Sequence, residues 1–285
     1  MFRNCYHFCT TALRDGVLCK DREDYLFMWN SLIVISVITG IRIYCMCLMS
    51  NHFHLLVTTT PEQADRYMEL FKVRAGRYLK KKYGKTVTEG LEYKLFSIND
   101  RRAFCQEVAY ILRNPYKARI SGPLNYLWNS AGAYFPVHKA EGSPVGSLTF
   151  REQNTLLHTR QELPEGMRVS PSGQILAETA VDGRFVEKMF DGSSVEFFEL
   201  LRKWGLDDLV EEKHGEVLTD SFSDAEVMAG IRETCRDQFS VPGPESLDGR
   251  SLSRLTRRIQ SRFGSSRAQL LRLLPIDNYF LDRLL

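Results

Sequence analysis

Between Arg3 and Pro115 the apolar residues recur at two alternating spacings, every second residue and about every 3.6 residues, which restricts this stretch to a mixed sheet-and-helix fold. Arg3 to Thr11 alternates as a strand does and ends at a turn, Asp15-Gly16. Asp21 to Val37 begins with an acidic first turn and carries Tyr25, Phe27, Met28, Leu32 and Ile35 at helical spacing until Gly40 breaks the pattern. Ile41 to Met49 and Phe53 to Thr59 are β-rich runs joined through Ser50-Asn51, as in a hairpin. Pro61 opens a second helix whose later turns, Lys72 to Lys85, are densely basic. A strand near Leu91 to Ile98 precedes a third helix that starts at Asp100 and runs through Phe104, Val108 and Ile111. Pro115 disfavours helical geometry at Asn114, so this helix is predicted to end there. The order β-α-β-β-α-β-α predicts an α+β fold, a ferredoxin-like antiparallel sheet covered by helices.

The remaining sequence is organised differently. Residues 136–182 are rich in Gly, Pro and Ser with weak periodicity, which predicts a linker or loosely packed segment. Phe185 to Leu209 and Asp224 to Phe239 have helical, acidic patterns. From Ser251 a helix, a turn at Gly264 and a second helix opened by Ser265-Ser266 follow, a pattern that fits a helix-turn-helix at 251–280 and an ordinary helical hairpin equally. The expected organisation is therefore a domain over 1–135, the segment 136–182, and a mainly helical C-terminal region over 183–285.

Charge is segregated along the chain. Residues 1–140 carry 20 Lys and Arg against 11 Asp and Glu, residues 141–250 carry 11 against 22, and residues 251–285 carry 7 against 2. Two basic blocks flanking an acidic one suggest that the first and last meet a polyanion. Seven cysteines without a CxxC pair argue for reduced thiols and against a disulfide framework. The apolar run Ser31 to Met49 is interrupted by Gly40 and Arg42 and has an acidic N-terminal flank, so it suits neither a membrane span nor a signal peptide, and a cytoplasmic protein is expected.

Chemistry concentrates at two places. His52-Phe53-His54 opens a strand, where alternate side chains share a face, so both imidazoles project from one side. Two imidazoles on one side make half of a metal site, although paired histidines in a strand are also common as satisfied surface or core residues. Tyr110 and Asn114 lie four apart on the third helix and stack on one helical face. Asn114 offers an amide oxygen to a hard cation and Tyr110 a phenol, which elsewhere is more often a core aromatic.

The stretch Leu48-Met49-Ser50-Asn51-His52-Phe53-His54-Leu55-Leu56-Val57 resembles the His-hydrophobic-His motif of the single-tyrosine transposases, particularly the REP-associated tyrosine transposase-like group. Tyr110-Ile111-Leu112-Arg113-Asn114-Pro115 is similar to that family's tyrosine helix, and Tyr6-His7-Phe8 and Tyr126-Leu127-Trp128-Asn129-Ser130 are supporting matches. The resemblance covers roughly residues 1–135. The glycine-rich residues common after the first strand of relatives are replaced here by Thr10 to Gly16. The resemblance implies a DNA transposase or nickase that cleaves and rejoins single-stranded, hairpin-associated DNA. Tyr110 would be the nucleophile and would form a 5′-phosphotyrosine, with Mg²⁺ or Mn²⁺ held by His52, His54 and Asn114. No base for the phenol is identified.

For DNA contact the sequence offers Lys72, Arg74, Arg77, Lys80, Lys81, Lys82 and Lys85, interleaved with Tyr78 and Tyr83 that could stack bases, together with Arg113 and Lys117. Arg257, Arg258, Arg262 and Arg267 would add duplex binding through the C-terminal helices. The expected partners are single-stranded or hairpin DNA, with the protein a monomer or homodimer. Three alternatives remain: a domesticated, non-catalytic DNA-binding regulator, a replication-initiator nuclease of the same His-hydrophobic-His type, and an RNA-binding ferredoxin-like module presenting Phe8, Tyr44 and Phe53.

Overall fold

A computed structural model describes residues 2–13, 16–136, 141–203, 205–214 and 222–284, apart from the side chains of residues 208, 212 and 213. The elements in chain order are β1 (Cys5–Thr10), α1 (Arg22–Thr39), β2 (Arg42–Leu48), β3 (Phe53–Thr58), α2 (Pro61–Tyr83), β4 (Tyr93–Ser97) and α3 (Arg101–Lys117). There follow β5 (Ser143–Pro144), α4 (Phe150–Leu157), β6 (Arg168–Val169), α5 (Ala177–Ala180), α6 (Gly183–Met189), α7 (Ser194–Arg202) and α8 (Leu206–His214). The chain ends with α9 (Asp224–Phe239), α10 (Gly249–Phe263), α11 (Arg267–Leu273) and α12 (Asn278–Leu284). Asp15 of the expected first turn lies outside the described residues.

The first four strands form one antiparallel sheet in the order β2-β3-β1-β4, the ferredoxin-like arrangement expected from the sequence. Strand periodicity then assigns each side chain to a face. Phe8 and Phe53 point to the side covered by α1 and α2, where Phe8 meets Tyr67 and Phe53 meets Phe71. His7, Cys9 and His54 point to the other side, because Cys9 pairs with His54 and His7 with Leu56 across the β1–β3 ladder. That second face is covered by α3, with α6, α7 and α8 packed on α3 in turn.

Local chemistry explains where the helices begin and end. Asp21 and Asp100 cap α1 and α3 by accepting from the backbone N–H three residues on, and Thr60 with Gln63 forms a capping box ahead of Pro61. Gly40 and Gly84 end α1 and α2 in the left-handed conformation that glycine adopts without strain.

One boundary differs from the sequence expectation. The third helix does not stop at Asn114 but continues through Pro115 to Lys117. Proline cannot donate to the Ile111 carbonyl, but the Asn114 side-chain amide does so at 3.3 Å and also donates to the Tyr110 carbonyl at 3.1 Å. The hydrogen bond that the ring removes is thereby replaced.

Residues 141–182 are also more ordered than their composition suggests. The Trp29 indole donates to the Ile175 carbonyl, and Asn30 both donates to the Gly173 carbonyl and accepts from the Ile175 N–H, all within 2.9 Å. Side chains of α1 thus satisfy part of this weakly periodic backbone, beside the short β5–β6 ladder. The expected helix over Phe185–Leu209 is divided into α6, α7 and the start of α8.

Helices α9 to α12 enclose a second apolar core that includes Val227, Ile231, Leu255, Ile259, Phe263, Leu270 and Leu281. Helices α10 and α11 are joined through Gly264, which is left-handed, an arrangement common to a helix-turn-helix and a helical hairpin. Among the described residues no helix is long and apolar enough to cross a membrane.

A four-histidine candidate site under helix α8

On the α3 side of the sheet, register brings His7 of β1 beside His54 of β3, and His7 Nε2 and His54 Nδ1 share a hydrogen bond of 2.9 Å. His52 stands just before β3, with its ring centroid 4.9 Å from that of His54 and its Nδ1 2.7 Å from Asn51 Oδ1. Helix α3 passes over the pair and places the Tyr110 ring 6.1 Å from His54 and 5.9 Å from His7. His54 therefore lies in ring contact with both His52 and Tyr110. Asn114 is buried one turn beyond Tyr110, with its amide nitrogen engaged by the helix carbonyls.

Four further residues complete the centre, of which only His7 figured in the sequence pattern, within Tyr6-His7-Phe8, and not as a site residue. His7 could have been suspected from its alternation with Phe8, and Glu107 from its place one turn before Tyr110. The other two are Glu211 and His214, in the acidic segment, where no motif marks them. They sit three apart on α8, so both face α3. Glu211 accepts a hydrogen bond from the Tyr110 hydroxyl at 3.3 Å and pairs with Lys117. His214 Nε2 lies 2.6 Å from Glu107 Oε1, and Asp207 at the start of α8 pairs with Arg113 at 2.8 Å.

The environment sets the protonation of these groups. Burial, followed by the charge of Lys117, lowers the His52 pKa to about 3. Burial, followed by His52 and His7, takes His54 well below its ordinary value. Both imidazoles are therefore neutral, as a metal ligand must be. His54 Nε2 is buried and has no hydrogen-bond partner among the described residues, so the orphaned atom fits a cation held there. Burial raises the Tyr110 pKa far above that of a free phenol, and Glu211 adds to the rise. Burial also opposes ionisation of Glu107, but the adjoining imidazoles, His214 first, outweigh it and hold the carboxyl at about 2. Tyr110 is 1% exposed, yet its hydroxyl ends in this polar cluster under α8 rather than among apolar side chains.

The basic residues fall into two groups. Lys82 is held by Asp21, Glu23 and Asp24, and Arg74 donates to Ser31 and to the Leu157 and His158 carbonyls. Arg113 and Lys117 are engaged by α8, Arg262 by Glu233, and Arg267 by Asp282 and Asn278. Arg77, Lys80, Lys81, Lys85 and Arg258 are exposed and Lys72 is half-buried, while Arg257 is exposed and donates to the Leu284 carbonyl. Tyr78 stacks on Phe27 at 4.0 Å, and the hydroxyls of Tyr78 and Tyr83 both bind Asp24, so these rings are committed to the fold. Phe8, Tyr44 and Phe53 are buried, which removes the exposed aromatics that an RNA-binding sheet would need.

Comparison with known proteins finds a match within the sheet domain. Residues 2–102 match the family described as "Transposase IS200 like". The match includes His52 and His54 and stops short of Tyr110. A solved structure of a REP-associated tyrosine transposase bound to a REP hairpin aligns with 59% of this chain and 94% of its own at 11% identity, with a TM-score of 0.35, a likeness too distant to carry argument. No curated protein matches the chain.

Proposed function

We propose that the protein is a transposase that cuts and rejoins single-stranded, hairpin-associated DNA through Tyr110, aided by Mg²⁺ or Mn²⁺. The observation that carries this reading is the ring contact of neutral His54 with both neutral His52 and Tyr110 on one face of the sheet, in a domain whose residues 2–102 match the IS200-like family. His54 through its orphaned Nε2, His52, and Asn114 through its amide oxygen are the residues that would hold the cation. When bound it would polarise the scissile phosphodiester.

The Tyr110 oxygen attacks phosphorus and loses its proton, and the bond from phosphorus to the 3′ oxygen breaks. A 5′-phosphotyrosine and a free 3′-hydroxyl result, and attack by a 3′-hydroxyl reverses the step without an external energy source. Phosphate cannot reach Tyr110 while α8 covers it, so strand cleavage requires α8 to leave α3. Its departure also removes Glu211, one of the groups that keep the phenol protonated. The exposed Arg77, Lys80 and Lys81 on α2, with Lys85 just beyond it, provide a backbone-binding face, and Arg257 and Arg258 a second one for duplex.

The test is incubation of the full chain with end-labelled hairpin DNA and Mn²⁺, followed by denaturing electrophoresis. A covalent protein–DNA band is expected and is lost in Tyr110→Phe. An identical band from the variant would disprove the assignment of the nucleophile. A non-catalytic DNA-binding protein is the second reading, favoured by the burial of Tyr110, and it predicts hairpin binding with no covalent band from any variant.

A further inference from the structure

Beside the proposed catalytic centre lies a second cluster of donors. His7 Nδ1, the Glu107 carboxylate and His214 Nε2 all lie within 4.8 Å of one another. They come from β1, α3 and α8, three elements distant in sequence. Glu107 is 1% exposed, and its two ion-pair partners among the described residues are the imidazoles of His7 and His214, at 3.1 and 2.6 Å. A buried carboxylate with no lysine or arginine on it requires another source of positive charge. Here that source is either a proton on one imidazole or a metal ion between the three groups.

Two features favour a metal ion. First, His7 Nδ1 and Glu107 Oε2 are fully buried and face each other at 3.1 Å without the alignment of a hydrogen bond, and Nδ1 keeps its lone pair when His7 Nε2 donates to His54 Nδ1, the tautomer opposite to the one that frees His54 Nε2 for a cation. A tetrahedral ion with bonds of about 2.0–2.1 Å separates its ligand atoms by roughly 3.3 Å, close to that spacing. Second, the donor set of two imidazoles and one carboxylate is the borderline kind that suits Zn²⁺, Co²⁺ or Ni²⁺ rather than the all-oxygen shell of Mg²⁺. The 2.6 Å contact of His214 with Glu107 is that of a proton-bridged pair, and a cation replaces that proton once the two atoms move roughly 0.7 Å apart.

We propose that His7, Glu107 and His214 form a binding site for a zinc-class dication, separate from His52, and that the bound ion fastens α8 to β1 and α3. Metal binding by these three residues is independent of whether Tyr110 is a nucleophile.

The full chain, stripped with a chelator and reloaded with Co²⁺ or Zn²⁺ in the absence of DNA, tests it by metal analysis, Co²⁺ absorption and thermal melting. The wild type should hold one tightly bound ion with the absorption of four- or five-coordinate Co²⁺ and melt higher when loaded. Tyr110→Phe and His52→Ala should retain both properties. His7→Ala, Glu107→Gln and His214→Ala should each lose the ion and the melting shift. His214 sits on a helix outside the sheet, so His214→Ala decides the matter should His7→Ala fail to fold. A wild type that takes up no stoichiometric Zn²⁺, or an ion that survives His214→Ala and disappears in His52→Ala, overturns the site.

Discussion

The two sides of the polar centre are built on different principles. The floor, made by β1, β3 and α3, is fixed by a sheet register and a continuous apolar core, so His7, His54 and Tyr110 are held by the same contacts that hold the fold. The cover, α8, is a nine-residue helix that reaches the floor through charge pairs, Asp207 with Arg113, Glu211 with Lys117 and His214 with Glu107. Its apolar residues Leu206 and Val210 also enter the core. Segments held largely by a few polar contacts open at lower free energy than a sheet does. The floor is therefore the more firmly held part of the site and the cover the part that opens at lower cost.

That contrast is sharpened most by removing one group from each side. His54→Ala takes the orphaned nitrogen from the floor, and covalent adduct formation should fall by more than the roughly 100-fold that loss of a supporting outer residue brings to metal sites. Near-normal adduct yield in a folded His54→Ala protein, measured on the same hairpin, would mean that the cation is not held there.

Glu211→Gln acts on the cover and should have the opposite sign. It weakens the contacts to Lys117 and Tyr110, and hydrogen bonds to charged groups contribute about 1.5–3 kcal/mol each. The open population, and with it the initial rate of adduct formation, should rise by roughly 10-fold or more. A fall instead of a rise would make Glu211 the base that takes the phenol proton, and α8 would then belong to the working site.

This difference also decides what could be read from the sequence. The part of the floor made by His52, His54, Tyr110 and Asn114 was legible because it obeys local rules, while His7 and Glu107 on the same elements were not picked out as site residues. Strand alternation puts both histidines of His52-Phe53-His54 on one side, four-residue spacing aligns Tyr110 with Asn114, and the capping residues mark the helix starts. The cover was not legible, because the meeting of Glu211 and His214 with α3 depends on how a chain about a hundred residues downstream folds back. Within its own segment each looks like one more solvated charge. Pro115 misled for the related reason that a single side chain, Asn114, offsets the effect of the ring, and no local rule anticipates that compensation.

The same division appears among the lysines of α2, where sequence makes Lys80, Lys81 and Lys82 equal. Lys82 reaches Asp24, which has no exposed side-chain surface and also receives bonds from the Lys20 N–H, Tyr78 and Tyr83. Lys82→Met should therefore lower stability by about 2 kcal/mol, less than the loss of a partner from a wholly buried pair because Lys82 is itself partly exposed. Burial of Asp24 opposes its ionisation, but the bonds from Lys82, Lys20 and Tyr83 prevail and lower its pKa below 3.8. A depressed folded-state pKa gives stability that is present above the unfolded value and lost as pH falls through the folded one. The difference between wild type and Lys82→Met should then be full near pH 7 and shrink below about pH 4, as followed by denaturant melts. A constant difference down to pH 2 would remove the Asp24 explanation.

The smallest effect separates the exposed members of that group. Lys80 and Lys81 make no ion pair among the described residues, so replacing either with alanine should leave the melting temperature essentially unchanged. Each should reduce the slope of log affinity against log salt for single-stranded DNA by about 0.7, the share of one neutralised phosphate. Lys82→Met should leave that slope unaltered, because its ammonium is already neutralised by the carboxylates of α1. If the order is reversed, with Lys82 changing the slope and Lys80 and Lys81 silent, then the DNA face lies on the α1 side of α2 and the acidic cluster must open when DNA binds.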